Sequence, residues 1–84
     1  MNTNPQFSPR LTTTRKIENH MAAKAIKRKD LIAALGVTYQ TFERRMSGEL
    51  PFTVDEIWKI ARVLRARPSE ILPDDIAEDT AEAA

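Results

Sequence analysis

Apolar positions recur along most of this chain at the three- and four-residue spacing of an α-helix, and β-branched residues alternating at period two are absent. Leu11, Ile17, Met21 and Ala25 fall close to one stripe, with no Gly or Pro between them, and predict a helix from about Leu11 to Lys24. Leu31, Ile32 and Leu35 form the inward face of a second, short helix over Arg28–Leu35. Gly36 stops it, because glycine just past a helix end takes the left-handed conformation cheaply. Thr38 is a good N-cap for a third helix over Tyr39–Ser47, in which Phe42 and Met46 lie one turn apart on the same face, and Gly48 stops it in turn. Thr53 and Glu56 have the T-x-x-E spacing of a capping box, and Phe52 and Ile57 are placed to staple it. The helix behind carries Val54, Ile57, Trp58, Ile60, Ala61 and Leu64, an apolar face wide enough to predict burial, with Trp58 read as core. Pro68 suits the first position of a fifth short helix reaching Leu72, and Pro73 ends it. The pattern as a whole predicts an all-α fold, a compact bundle of about five short helices.

Length sharpens this picture. A chain of 84 residues is one small domain, and a domain of that size buries only about 60% of its unfolded surface, so its core is thin. A large substrate cleft or a second catalytic domain is therefore not expected. Residues 1–10 hold two prolines and small polar residues around a lone Phe7, and read as a flexible arm. Residues 11–72 read as the folded domain, and 73–84 as an acidic, disordered tail. There is no cysteine for a disulfide or a thiolate metal site, and the single histidine, His20, is expected to be a surface or half-buried packing residue. Met21 and Met46 are expected to fill gaps in the core. No stretch approaches the about 18 apolar residues of a membrane span, and residues 1–9 lack the apolar run of a signal peptide, so a cytoplasmic location is expected. No metal, cofactor or small-molecule substrate is expected.

The net charge of +1 conceals an asymmetry. Residues 1–72 carry all 13 Lys and Arg and seven of the 12 acids, whereas residues 73–84 carry the other five acids and no base. A basic body beside an acidic tail points towards a polyanion-binding domain, although short helices also keep solvated charged faces without any ligand.

The informative segment is Arg28–Ser47, RKDLIAALGVTYQTFERRMS. A helix, a tight glycine-containing turn and a second helix form a helix-turn-helix unit, whose purpose is to project the second helix into the DNA major groove. That helix needs an apolar back, supplied by Phe42 and Met46, and a polar front, supplied by Tyr39, Gln40, Glu43, Arg44 and Ser47. With Leu31 in the first helix, Gly36-Val37 in the turn, Phe42 in the second helix, Gly48 after it and the downstream WKIARVLRARPSEIL, the chain resembles the phage Cro/C-repressor (XRE-type) helix-turn-helix family over about residues 15–72. The resemblance implies a lambda repressor-like fold. It also exposes departures: Ile32 where the family usually has a small residue, Arg45 where an apolar one is common, Arg65 where glycine is frequent, and Lys27 in place of a preferred N-cap. Arg45 is expected to pack its stem and send its head to solvent or phosphate.

Candidate contacts follow from chemistry and position. Arg44 can bind guanine O6 and N7 with two parallel hydrogen bonds, and Gln40 can bind adenine N6 and N7; as alternatives, Arg44 is a solvated charge paired with an acid, and Gln40 a plain surface residue. Tyr39 and Thr41 suit thymine methyls or phosphates, and Tyr39 suits the edge of the core equally. Glu43 can accept from cytosine N4 or orient Arg44. Lys27, Arg28, Lys29, Arg45 and Ser47 are candidate phosphate contacts, as is Thr38, which is also expected to cap its helix beside backbone N–H groups facing a phosphate. Arg10, Arg15 and Lys16, on or near the arm, are read as solvated charges.

Two function classes survive. The first is a sequence-specific double-stranded DNA-binding regulator, a phage or prophage Cro-like or short repressor acting by occupying an operator. It is plausible as a homodimer, with the loop Leu50–Phe52 and the helix ending near Leu72 as candidate dimer surfaces. The alternative is a protein-interaction module, of antitoxin or anti-repressor type, whose acidic tail contacts a partner. An enzyme is not expected: cysteine nucleophile, Gly-rich phosphate loop and HExxH site are all missing from the sequence, and Asp74 and Asp75 lie in the tail.

Overall fold

A computed structural model of the protein describes residues 9–73, which form four α-helices and a terminal 3-10 turn. They are α1 (Pro9–Lys24), α2 (Arg28–Leu35), α3 (Tyr39–Met46), α4 (Val54–Leu64) and the turn Pro68–Glu70. No strand occurs among the described residues. The fifth helix expected through Leu72 is this single 3-10 turn, opened by Pro68 and closed by the bond from the Ile71 N–H to the Pro68 carbonyl at 3.1 Å. Most of the expected arm and tail lies outside the described residues. Pro9 and Arg10, assigned to the arm by sequence, belong to α1, whose first position proline favours.

One core unites all the elements. Ile17 of α1, Leu31 and Leu35 of α2, Phe42 and Met46 of α3, Ile57, Ile60, Ala61 and Leu64 of α4, and Ile71 behind the turn are all buried. The stripe expected on α1 is rotated: Thr13, Thr14 and Ile17 point inward, while Leu11 and Met21 are half-buried and Ala25 is exposed. Ile32, the large residue at the α2 position where a small one is usual, is partly buried and packs against the core. Phe52 and Ile57 line one crevice, as the staple at the start of α4 requires. Trp58 and Val54 differ from expectation, being 61% and 72% exposed. α4 packs against α1, α2 and the 3-10 turn, and among the described residues no element covers Val54 and Trp58.

The helix ends show why the chain turns where it does. Gly36 closes α2 at φ 71°, and its N–H reaches the Ile32 carbonyl at 3.0 Å. Gly48 has φ 88°, and a Cβ there would stand 3.2 Å from the Leu11 side chain, so this position needs both the torsion and the missing side chain. α1 and α4 end in the same manner without glycine. Ala25 and Arg65 adopt φ 57° and 56°, and the N–H groups of Ile26 and Ala66 reach back to the carbonyls of Met21 and Ala61 at 2.9 Å each. These are Schellman closures built on residues that resist the left-handed region. Lys24 reinforces the second, its ammonium donating to the carbonyls of Leu64 and Arg65 at the basic-favouring end of α4. Replacing Ala25 by glycine is expected to stabilise the domain by about 1 kcal/mol, the left-handed penalty less the greater freedom of glycine in the unfolded chain. A thermal melt followed by circular dichroism should then rise by about 4–8 °C.

Candidate nucleic-acid interface

The α2–turn–α3 unit spans Arg28–Met46, and its second helix has two unlike sides. Phe42 and Met46 are buried beneath it, whereas Tyr39, Gln40 and Arg44 are exposed and Thr41 and Glu43 are half-buried at its flanks. Tyr39, at 61% exposure, stands clear of the core. Thr38 caps the helix as its sequence position suggests: its Oγ1 accepts from the Thr41 N–H at 3.1 Å and lies 3.0 Å from the Thr41 hydroxyl. Ser47 closes the other end, its hydroxyl donating to the Arg44 carbonyl at 3.0 Å and its N–H bonding the Glu43 carbonyl at 2.9 Å. The rod is therefore pinned at both ends and its outward side is polar.

The three arginines of the unit, Arg28, Arg44 and Arg45, have three different surroundings. Arg44 sets its Nε and Nη2 against the same Glu49 oxygen, at 3.0 and 2.8 Å. This contact uses one side of the guanidinium and leaves the outer Nη1–Nη2 edge for a second two-point partner. The acid beside Arg44 is Glu49, across the Gly48 turn, rather than Glu43. Glu43 instead accepts from Arg28 at 2.7 Å. Arg28 also approaches Glu18 of α1 at 3.5 Å and lies over the Phe42 ring with its carbon 5.8 Å from the centroid. One cation thereby ties α1, α2 and α3 together.

Arg45 corrects an expectation. Its head does not reach outward: Nε sits 2.9 Å from Glu56 Oε1 and Nη1 donates to the Pro51 carbonyl at 2.8 Å. The two side chains are only 17% and 10% exposed. The same Glu56 oxygen accepts the Thr53 N–H at 2.9 Å, and the Glu56 N–H bonds Thr53 Oγ1 at 3.1 Å, so the capping box anticipated in the sequence is also the seat of an ion pair. The pull of this charge and of the Pro51 carbonyl outweighs hydration of the guanidinium.

The start of α2 supplies the remaining cations. Lys27 and Lys29 are exposed, and Arg28 is half-exposed. Lys27 cannot cap α2 with an ammonium. The cap is half made from the other direction, Asp30 Oδ2 accepting the Lys27 N–H at 3.1 Å. On the far side of α3, Arg10 donates to the carbonyls of Gly48 and Glu49 at 3.2 and 3.1 Å, fastening the loop that carries Glu49 to the first turn of α1.

Glu18, Glu49 and Glu56 as arginine partners were absent from the sequence reading. Glu56 had a signal in the capping box, but Glu49 stands five residues from Arg44 across a left-handed glycine, where helical spacing says nothing. Among the described residues, no helix is long and apolar enough to cross a membrane. No curated protein and no solved structure matches the chain. Residues 16–76 match the family described as the Cro/C1-type HTH DNA-binding domain, an interval that takes in α2, α3, α4 and most of α1.

Proposed function

We propose that this chain, which belongs to the Cro/C1-type helix-turn-helix DNA-binding domain family, is a sequence-specific regulator that represses transcription by occupying an operator in duplex DNA. The observation that carries this reading is α3 itself: a capped eight-residue rod whose back is buried and whose front offers Tyr39, Gln40 and Arg44 to solvent. A major groove accepts a rod of that width and presents donors and acceptors in the pattern such side chains match.

In this reading Arg44 binds guanine O6 and N7 through its free edge, and Gln40 binds adenine N6 and N7. Tyr39 and Thr41 meet thymine methyls or phosphates. Lys27, Lys29 and the outer part of Arg28 meet phosphates, with Ser47 and the N–H groups beside Thr38 at the two ends of the rod. Glu43 and Arg45, both engaged within the domain, act by fixing the pose of α3. A protein of phage or prophage type that binds as a two-fold dimer fits this arrangement.

The test is a bind-and-sequence selection on random duplexes of about 30 base pairs at near-physiological salt. An enriched palindrome with half-sites about ten base pairs apart supports a dimeric operator binder, and a single short enriched site a monomeric one. Binding without enrichment that vanishes as salt rises defeats the proposal. Lys29→Ala gives a second check, because Lys29 is exposed. Measured by fluorescence anisotropy across a salt series, the slope of log affinity against log salt should flatten by about 0.9, one phosphate contact, with the preferred sequence unchanged.

A further inference from the structure

The acidic segment 74–84 continues directly from the wall of a largely apolar crevice. Phe52, Ile57, Leu72 and Pro73 line that crevice together with the exposed Arg10. Its volume is about 170 Å³, room for one branched aliphatic side chain. Pro73 is buried, and the Leu72 carbonyl before it accepts from the Lys16 ammonium at 2.9 Å, so the point where the segment leaves the domain is fixed. Two cations of α1 stand at that point. Lys16 is on the Leu72 carbonyl, and Arg10 lines the crevice with its guanidinium on two neutral groups, the carbonyls of Gly48 and Glu49. The segment is complementary to this site in its chemistry. It carries five acids, no base and a single apolar side chain larger than alanine, Ile76. Asp74 and Asp75 lie within about 7 Å of chain from Pro73, and Ile76 within about 11 Å.

We propose that residues 74–84 are an intramolecular ligand of this crevice and that the docked segment screens the DNA-facing helix. Ile76 seats against Phe52, Ile57 and Leu72, while Asp74 and Asp75 face Arg10 and Lys16. Tethering supplies an effective concentration on the order of millimolar, so a contact too weak to hold a separate peptide is made within one chain. The site is also close to the base-reading residues. Arg10 donates to the Glu49 carbonyl and the Glu49 carboxylate holds Arg44, so only Glu49 separates the crevice from the end of α3. A segment seated there keeps Glu78, Asp79 and Glu82 on the side where DNA phosphates would approach, and repels them. If the crevice is filled about nine times in ten, the apparent affinity for DNA falls about tenfold. The screening rests on the DNA-binding reading, whereas the docking does not, and each has its own readout.

Nuclear magnetic resonance of the full chain tests the docking without DNA. Nuclear Overhauser contacts are expected between the Ile76 methyl groups and the Phe52 ring, unchanged on dilution. Ile76→Ser should abolish them and shift the amide signals of Arg10, Thr13 and Phe52, while those of α2 stay in place. Asp74→Asn combined with Asp75→Asn should weaken the same contacts, and indifference to that change overturns the charge pairing. Shifts confined to the neighbours of residue 76 overturn the docking. So do contacts that arise only between differently labelled copies in a mixed sample, which would make the occupant another molecule of the chain. Fluorescence anisotropy on a random-sequence duplex tests the screening. Ile76→Ser leaves every charge of the segment in place, so plain electrostatics predicts no change, whereas release of a docked segment predicts an affinity gain of about 3–10-fold. An unchanged affinity overturns the screening. If wild type and variant both ignore DNA, the screening falls together with the proposed function, and the docking stands on its magnetic resonance contacts.

Discussion

Glu56→Ala is expected to lower the stability of the domain by about 3–5 kcal/mol, the range for removing one partner of a buried ion pair. Two losses coincide at this residue. The Thr53 N–H loses the carboxylate that closes the start of α4, a cap worth about 1 kcal/mol. Arg45 keeps its guanidinium in a site where its side chain is 17% exposed, with only the Pro51 carbonyl to replace the charge. A small domain sits near the lower end of the usual 5–15 kcal/mol, so the variant should keep no more than about 2 kcal/mol of stability. A urea titration followed by far-ultraviolet circular dichroism measures this. Tryptophan emission is the poorer reporter, because Trp58 is exposed in the folded domain.

The comparison variants divide the effect. Glu56→Gln retains an acceptor for the Thr53 N–H but removes the charge, and should fall between wild type and alanine. Adding Arg45→Met to it removes both charges and leaves an apolar side chain in the largely buried site, and should recover most of the loss. If Glu56→Ala costs no more than an ordinary cap, about 1 kcal/mol, the ion pair contributes nothing.

The second large effect is expected on DNA. With the selected operator in hand, Arg44→Ala should weaken binding by about 5–150-fold, the equivalent of 1–3 kcal/mol for a two-point contact with guanine. The preference at one base position should relax at the same time, while binding to unrelated duplex changes little. Glu49→Ala separates reading from positioning. Glu49 holds one side of the Arg44 guanidinium, so removing it frees that side chain and deletes a negative charge near the phosphates. Discrimination at the same base should fall by about 2–10-fold, as expected for re-ordering one long side chain, while non-specific affinity rises. Competitive anisotropy titrations with operator and scrambled duplexes provide both numbers. Equal loss on both duplexes after Arg44→Ala would make this arginine a phosphate contact.

Most of the backbone is legible in the chain, and the reason is local. Gly36, Thr38, Gly48 and the Thr53–Glu56 box each act on the few residues beside them, so the limits of α2, α3 and α4 follow from short-range chemistry. The polar and apolar sides of α3 were equally visible, because Phe42 and Met46 are a turn apart. What escaped depends on distance in space. Trp58 extends the apolar stripe of α4 in sequence, but only the assembled packing, in which α4 sets other residues against α2, leaves it uncovered among the described residues. Arg45 and Arg28 choose partners 11 and 15 residues away, on other elements. Such choices are set by the assembled fold. The α1 stripe misled because threonines at 13 and 14 occupy core positions that a hydrophobicity pattern assigns to larger residues.

The Arg28–Glu43 bond also bears on how the binding preference of this chain can drift over generations. Gln40 projects from α3, and Arg44 is paired only with Glu49 in the exposed loop just after it, so neither ties α3 to another helix and single codon changes there can try new base pairs while the scaffold stays put. Glu43 is on the same helix but is tethered to the first residue of α2 and, through it, to α1. A lineage that alters Glu43 alone disturbs the seat of the whole helix, and the compensating change lies 15 residues earlier at Arg28. Position 40 is therefore free to diversify and position 44 is coupled only to the exposed Glu49, whereas 28 and 43 are expected to change as a pair or not at all.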